Sequence, residues 1–474
     1  MRTVTRIMRR TAWAAAACVV AACSAGGATG APGTTAPAPT QVTLSTGPGQ
    51  PGTNPASAWP EYDKDAARTG VATGLPAAGP LSQRWTATLD GAVYGQPLVV
   101  GTTVIVATEN DSVYALSEST GKVVWRQHLG TPVPESALNG CGDIFPLGIT
   151  GTPVYDQGNG LVYAVAETTG YNHVLYGLAV SDGAVRVTRD IPLPGTQLQY
   201  DQQRPGLAID GGRVYAAFGG LYGDCGQYIG TVVGVPLSGS GALVSWHTPT
   251  SKEGAVWGTA GPVAGPGGDL WVSTGNGANG PGQPYDGSDS VDRLSPTMVR
   301  MDFFAPSTWA DDNTSDLDLG STQPVLAAGN STFIMGKRGV GYLLDTTSLG
   351  GIGGQLAQQS ICDAKGAGAV SGATVYEPCQ EGGMAAISVS AAQRTISVLW
   401  RGPGNGNGSP VVGGGAVWVT SYDSGTLYEL NPANGAIKSQ LGISGGLPHF
   451  SSLSLAGGTA FVGTLDGVVA VNGA

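Results

Sequence analysis

The sequence predicts an all-β ring, an eight-bladed β-propeller of four-stranded antiparallel blades closed by an N-terminal strand. A seven-bladed ring is the alternative. Three observations predict it. One pattern of short apolar runs recurs along the chain. Gly-rich turns separate the runs, in a chain with 78 Gly and 31 Pro among 474 residues. The last copy of the pattern is one strand short, while a lone matching strand stands near the start.

Residues 113–125 carry the pattern most clearly. Two apolar runs flank a Ser/Thr/Gly turn, and the second run ends in Trp125. That order reads as strand, tight turn, strand. Residues 96–108 supply two more short strands, which makes a four-stranded unit over about 96–130. A repeat of this kind decides the fold before any single element does. The second unit begins at Gly151-Thr152-Pro153 and the third at Gly206. The fourth holds Gly268–Gly277 and Thr297–Asp302, and the fifth starts at Gln323. The sixth, about 367–401, is the most degenerate and ends in Trp400. The seventh is clean over 409–435. The eighth stops after Val471, one strand short.

Residues 81–89, with Trp85, look like a fourth strand without its first three. Pairing them with the last unit closes the ring and leaves only short edges exposed. Residues 81–474 then divide into eight units of about 49 residues, near the roughly 40–50 of a propeller blade. Trp85, Trp125, Trp246 and Trp400 are expected to pack between blades, each with an N–H that needs a partner.

Ahead of the ring the chain changes character three times. Residues 1–22 have a basic start and a small apolar run, and read as a signal peptide too short to span as a helix. Val20-Ala21-Ala22-Cys23 resembles the bacterial lipobox, which implies cleavage before a lipidated Cys23. Residues 23–58 are an Ala/Gly/Pro/Thr-rich tether, and 59–80 a lead-in segment. The expected location is therefore the extracytoplasmic side of the cell membrane, held in its outer leaflet by the lipid. The formal charge is -11, and removing four arginines with the leader deepens it. That surface disfavours nucleic acid and anionic lipid as partners.

With Cys18 in the leader and Cys23 lipidated, four cysteines remain: Cys141, Cys225, Cys362 and Cys379. An even number outside the cytoplasm reads as disulfides. Proximity and repeat order favour Cys362–Cys379 and Cys141–Cys225. No Cys-x-x-Cys occurs, so zinc and thioredoxin-like chemistry lack support.

Ala115 to Trp125 resembles the quinoprotein-like (PQQ-like) propeller repeat, Ala-x-Asp-x-x-Thr-Gly-x-x-x-Trp, with Ser117 in the Asp position. Residues 431–435 give a second copy without the Trp. Trp59 to Gly70 is similar to the Trp-x-x-Tyr-x-x-Asp-x-x-Arg-Thr-Gly segment that often precedes such propellers. The resemblance covers about 59–474. It implies the fold and leaves activity open, because the repeat occurs in quinone-dependent dehydrogenases and in outer-membrane assembly scaffold lipoproteins. A dehydrogenase would need a buried quinone (PQQ), a calcium held by carboxylate and amide oxygens, and an Asp base. The adjacent Cys-Cys pair of the family's alcohol dehydrogenases is absent.

Trp257 and Asn276 are the candidates for such a cofactor site: an aromatic plate and an amide oxygen among close-approach glycines. Asp286, Asp289 and Asp292 form an acidic stretch with hard oxygen ligands for a weak calcium site, without EF-hand spacing. Asp311, Asp312, Asp316 and Asp318 follow. His128, His173, His247 and His449 have no zinc-ligand spacing, and Lys337, Arg338 and Lys365 are read as solvated or paired. Gly442-Ile443-Ser444-Gly445-Gly446 meets Gly-x-Ser-x-Gly by chance in a Gly-rich chain. Loops 140–150 and 376–384 carry the cysteines and lie where propellers meet partners. No catalytic set stands out. The expectation is a non-catalytic envelope lipoprotein with no cofactor, whose propeller binds an envelope protein, a polysaccharide or other polymer, or a small molecule. The alternative is a PQQ- and calcium-dependent dehydrogenase acting on alcohols or sugars.

Overall fold

The computed structural model describes residues 58–474. Among them eight small antiparallel sheets follow in chain order as the blades of a propeller. Blade 1 runs Leu98–Val100, Thr103–Thr108, Ser112–Ser117 and Val123–His128, each strand beside the next. The weak sixth unit builds a full blade, Ala369–Ser371 to Thr395–Arg401, which decides eight blades over seven. Blade 8 is completed from the other end of the chain: Ser82–Thr88 pairs antiparallel with Gly467–Asn472.

Burial follows the layers. Thr103–Thr108 is buried along nearly its whole length, because blades cover both its faces, and it reads as a continuous apolar run. The outer strand Val123–His128 buries only Trp125. That tryptophan is a hook into the next blade. Trp85 Nε1 donates to Glu118 O at 2.9 Å, Trp125 Nε1 to Val180 O at 2.8 Å and Trp400 Nε1 to Pro432 O at 2.8 Å. Each ring lies on the turn glycine of that blade, Gly121, Gly183 or Gly435, all at positive φ near 70°. A methyl group on Gly121 or Gly183 would fall 2.5 or 2.6 Å from the indole. The Gly and the Trp of the repeat are thus two halves of one joint.

The lead-in closes one end of the channel. Its backbone and Arg68 side chain make hydrogen bonds to Val99, Tyr155, Leu207, Ala264, Val370, Val412 and Gly473, which belong to blades 1, 2, 3, 4, 6, 7 and 8. Val71–Ala72 adds a parallel strand to blade 7. Trp59, Tyr62, Asp63 and Arg68 are buried. Gln96 is the hub: its Oε1 accepts from Trp59 Nε1 and Asp63 N, and its Nε2 donates to Ser452 Oγ and Leu453 O.

Asp292 corrects part of the sequence reading. It lies on Val291–Leu294, the third strand of blade 4, and not in a loop. One short helix, Trp309–Ser315, lies between blades 4 and 5. No helix among the described residues is long and apolar enough to cross a membrane.

Candidate functional site at the channel mouth

The segments that lead into the first strands meet at the other end of the channel. They line a small cleft, open to solvent on one side, with a cavity volume of about 20 Å³. Tyr62 of the lead-in forms its floor, with its hydroxyl 3.1 Å from Thr259 Oγ1. Tyr94, Thr150, Thr152, Arg204, His449 and Phe450 line the walls. Five blades enter with a proline directly before the first strand, in Gln96-Pro97, Thr152-Pro153, Gly261-Pro262, Gln323-Pro324 and Ser409-Pro410, while blade 3 carries Arg204-Pro205 two residues earlier. The prolines set the residue before each one extended. Arg204, on the approach to blade 3, brings a charge to the cavity.

Arg204 is the unusual group. Among the described residues it makes no ion pair and no side-chain hydrogen bond. Its guanidinium lies 4.7 Å from the Phe450 ring centroid and 5.9 Å from that of Trp257. Loss of water pushes its pKa below the usual guanidinium value, while Asp143, Tyr94 and Glu109 pull the other way. Arginine stays charged regardless. Beside it, burial and the Arg204 charge hold His449 neutral, with a pKa of about 3. His449 Nε2 has no hydrogen-bond partner, its nearest carboxylate being Asp143 at 3.7 Å. The mouth therefore offers one unpaired cation, a neutral imidazole, several hydroxyls and two aromatic plates.

Trp257 and Asn276 do come together at this rim, with two residues the sequence reading did not join to them. Asn276 N donates to Asp318 Oδ1 at 2.7 Å, and its Nδ2 donates to Asp316 Oδ1 at 3.0 Å. Lys337 Nζ bridges Asp316 at 2.7 Å and Asp318 at 2.6 Å, and lies 5.5 Å from the Trp257 ring. The two carboxylates raise the Lys337 pKa above its ordinary value, so the ammonium is a fixed internal cation. Asn276 Oδ1 is buried without a partner.

Asp286, Asp289 and Asp292 do three separate jobs. Asp286 accepts from Thr250 Oγ1, Asn279 N and Ser288 Oγ and organises its loop. Asp289 accepts from Leu319 N at 2.9 Å. Asp292 pairs with Arg300 and accepts from Ser290 Oγ. No set of three or more His, Cys, Asp or Glu among the described residues is arranged to hold a metal. Cys141–Cys225 and Cys362–Cys379 are disulfides, as favoured, each tying a connection between blades to a loop within a blade. Cys23 lies outside the described residues. Ser444 is exposed on a turn, next to no base.

Residues 80–277 match the family model described as outer membrane protein assembly factor BamB. The blades are PQQ-like repeats. The chain matches no curated protein in sequence. Among solved structures it is similar to BamB from Moraxella catarrhalis, at 17% identity and a TM-score of 0.57 over 82% of this chain and 99% of that one. It is also similar to the quinohemoprotein alcohol dehydrogenase from Comamonas testosteroni, at 15% identity and a TM-score of 0.64 over 88% and 80%. A europium-containing methanol dehydrogenase matches at 14% identity and a TM-score of 0.66 over 89% and 99%. At such identities the likeness is one of fold.

The dehydrogenases raise the question of whether a quinone and a metal fit here. The donor set argues against it. Asp316 and Asp318 share Lys337, and the unpartnered oxygens beside them are only Asn276 Oδ1 and Asp289 Oδ2, where calcium takes six to eight. Phe450 leans on Trp257 with centroids 6.1 Å apart and planes at 51°, which leaves no parallel slot for a flat ring between them.

Proposed function

We propose that the protein is a non-catalytic binding propeller of the cell envelope, whose channel mouth holds a small anionic ligand. The observation that carries this reading is Arg204, a guanidinium in a floored axial cleft that makes no ion pair and no side-chain hydrogen bond among the described residues, with Asp143 and Glu109 acting on it only at longer range. A carboxylate or phosphate would supply the acceptors it lacks, and charge-assisted hydrogen bonds of this kind are the strong ones. Phe450 and Trp257 would cover an attached apolar body. The likeness to BamB supports an envelope setting and a protein partner on the loop-rich mouth face. The two disulfides support an oxidising compartment. Lipidation of Cys23 would anchor the tether in the outer leaflet of the cytoplasmic membrane. Replacement by Cys23→Ala is expected to release the protein into the medium, and retention would contradict the anchor.

The second reading is a PQQ- and calcium-dependent dehydrogenase. It is favoured by the meeting of Trp257, Asn276 and Asp318 at one rim. One assay separates the two. Purified protein is incubated with PQQ and calcium, then given alcohols or sugars and an electron-accepting dye. No turnover above the protein-free blank is expected. Sustained turnover lost in Asp318→Asn would overturn the non-catalytic reading.

A further inference from the structure

A string of buried ionisable groups runs across blades 1 to 3, and the axial cavity does not use it. Glu109 and Asp111 flank a turn of blade 1, and Glu167 and His173 flank the same turn of blade 2. Asp201 lies on the short strand Asp201–Gln202 beside blade 3. None of the five is more than 3% exposed. Glu167 Oε2 stands 3.1 Å from His173 Nε2. Glu109 Oε1, Glu167 Oε1 and both carboxylate oxygens of Asp111 and of Asp201 accept no hydrogen bond. The one imidazole stands beside Glu167 and faces Asp201, and it does not reach Glu109 or Asp111.

The same string pins both ends of the connection 129–150, which overhangs the mouth. Leu129 N donates to Asp111 O at 2.8 Å. Gly148 N donates to Glu109 Oε2 at 2.8 Å, and Glu167 N donates to Gly148 O at 3.3 Å. A side chain on Gly148 would meet Asp111 Oδ1 at 3.0 Å, so that backbone lies directly on the carboxyl. Beyond Gly148 the chain continues to Thr150 in the cavity wall.

We propose that this string is a proton-operated latch: protonated, it holds the two ends of the connection 129–150 down on blades 1 and 2, and ionised, it lets those ends go while Cys141 stays tied to Cys225. Burial raises Glu109 and Asp111 to about 8 and Asp201 to about 7, and raises Glu167 against the pull of His173. Little around the string offsets charge. Arg204 and Tyr94 face Glu109, and Tyr176 faces Asp111 with Asp190 beyond it. Thr196 reaches Asp201. Asp90 bonds Thr108 and Ser112 nearby and is already paired with Arg126. On the connection itself, Asp143 faces Tyr94 and Arg204. The closed form therefore keeps protons that an open, hydrated form loses above its ordinary carboxylate range. Closure is favoured in acid and weakens as pH rises through 7 to 8. Each proton held only in the closed form changes the opening constant tenfold per pH unit.

Hydrogen exchange on the full-length protein tests this, with rates corrected for the intrinsic pH dependence. Opening of peptides within 129–150 is expected to become at least roughly tenfold easier from about pH 6.5 to 8.5, while blade 7 peptides do not change. Asp111→Asn, and separately Glu109→Gln, keep the shapes and are each expected to flatten the dependence. Equal protection at both pH values overturns the proposal, as does a dependence undiminished in both variants. Protection restored at the higher pH by calcium alone also overturns it, because the string would then be a cation site.

Discussion

The two ends of the channel treat polar groups in opposite ways. At the floor, the Gln96 amide uses all of its hydrogen-bonding capacity on Trp59, Asp63, Ser452 and Leu453, and the lead-in backbone is shared among six blades. At the mouth, among the described residues, Arg204 makes no ion pair and His449 Nε2 has no hydrogen-bond partner. Buried polar groups are normally satisfied within the protein, because leaving one unpaired costs about 1–3 kcal/mol. Unmet capacity therefore marks where the molecule expects something else. The floor has exceptions: Asp63 and Glu377 are fully buried and their carboxylate oxygens accept nothing, and Arg68 Nε has no partner.

Predictions that break the floor have the largest effects. Trp59→Ala removes a fully buried indole and its bond to Gln96, and is expected to cost ~3–5 kcal/mol in denaturant unfolding. A loss below ~1 kcal/mol would mean that the lead-in is not part of the fold. The Asp63–Glu377 exception gives a pH-dependent prediction. Burial raises Glu377 to about 8, with Asp63 adding to the rise, and Asp63 itself is raised well above its ordinary value. Both stay protonated in the folded state while the unfolded chain ionises, so their contribution is intact below about pH 4 and is lost as pH rises to about 8. Glu377→Gln should then match wild type near pH 5 and exceed it by about 3 kcal/mol near pH 8.5. His449 acts in the opposite sense. Its depressed pKa withdraws stability between about pH 6.5 and 3, and His449→Gln should flatten the acid limb of the melting curve.

The joints between blades come next. Gly121→Ala places a methyl group against the Trp85 ring at a positive φ, for an expected loss of about 2 kcal/mol. Gly101→Ala also has a positive φ but open space around it, and should cost about 1 kcal/mol. Equal losses would remove the joint as the explanation. The mouth is last. Arg204→Met should move stability by less than ~1 kcal/mol, because no partner is orphaned.

The ring was legible because its signal repeats. Each unit restates the strand lengths, the turn glycine and, in four places, the tryptophan, so even the degenerate sixth blade could be counted from its neighbours. The missing strand after Val471 and the spare one at Trp85 are complementary pieces, and the structure joins them. Asp292 misled because Val291-Asp292-Arg293-Leu294 carries charges into a blade, where Arg300 and Asp269 pair with them. The mouth was illegible for the opposite reason. Tyr62, Tyr94, Arg204 and Phe450 come from the lead-in and from entries to three different blades, and each looks ordinary alone. Only when the cavity-lining residues are set side by side does Arg204 stand out as the charged one. Asp318 and Lys337 were in view as separate residues, but nothing local says that they close on Asn276.

The most direct test of the anion-binding mouth is calorimetric titration of the full-length protein with benzoate and with inorganic phosphate, beside Arg204→Met and at matched low salt. Saturable binding of at least one probe to the wild type, weakened tenfold or more in Arg204→Met, is the expected result. Binding that is unchanged in the variant, or no binding of either probe to the wild type, would contradict it.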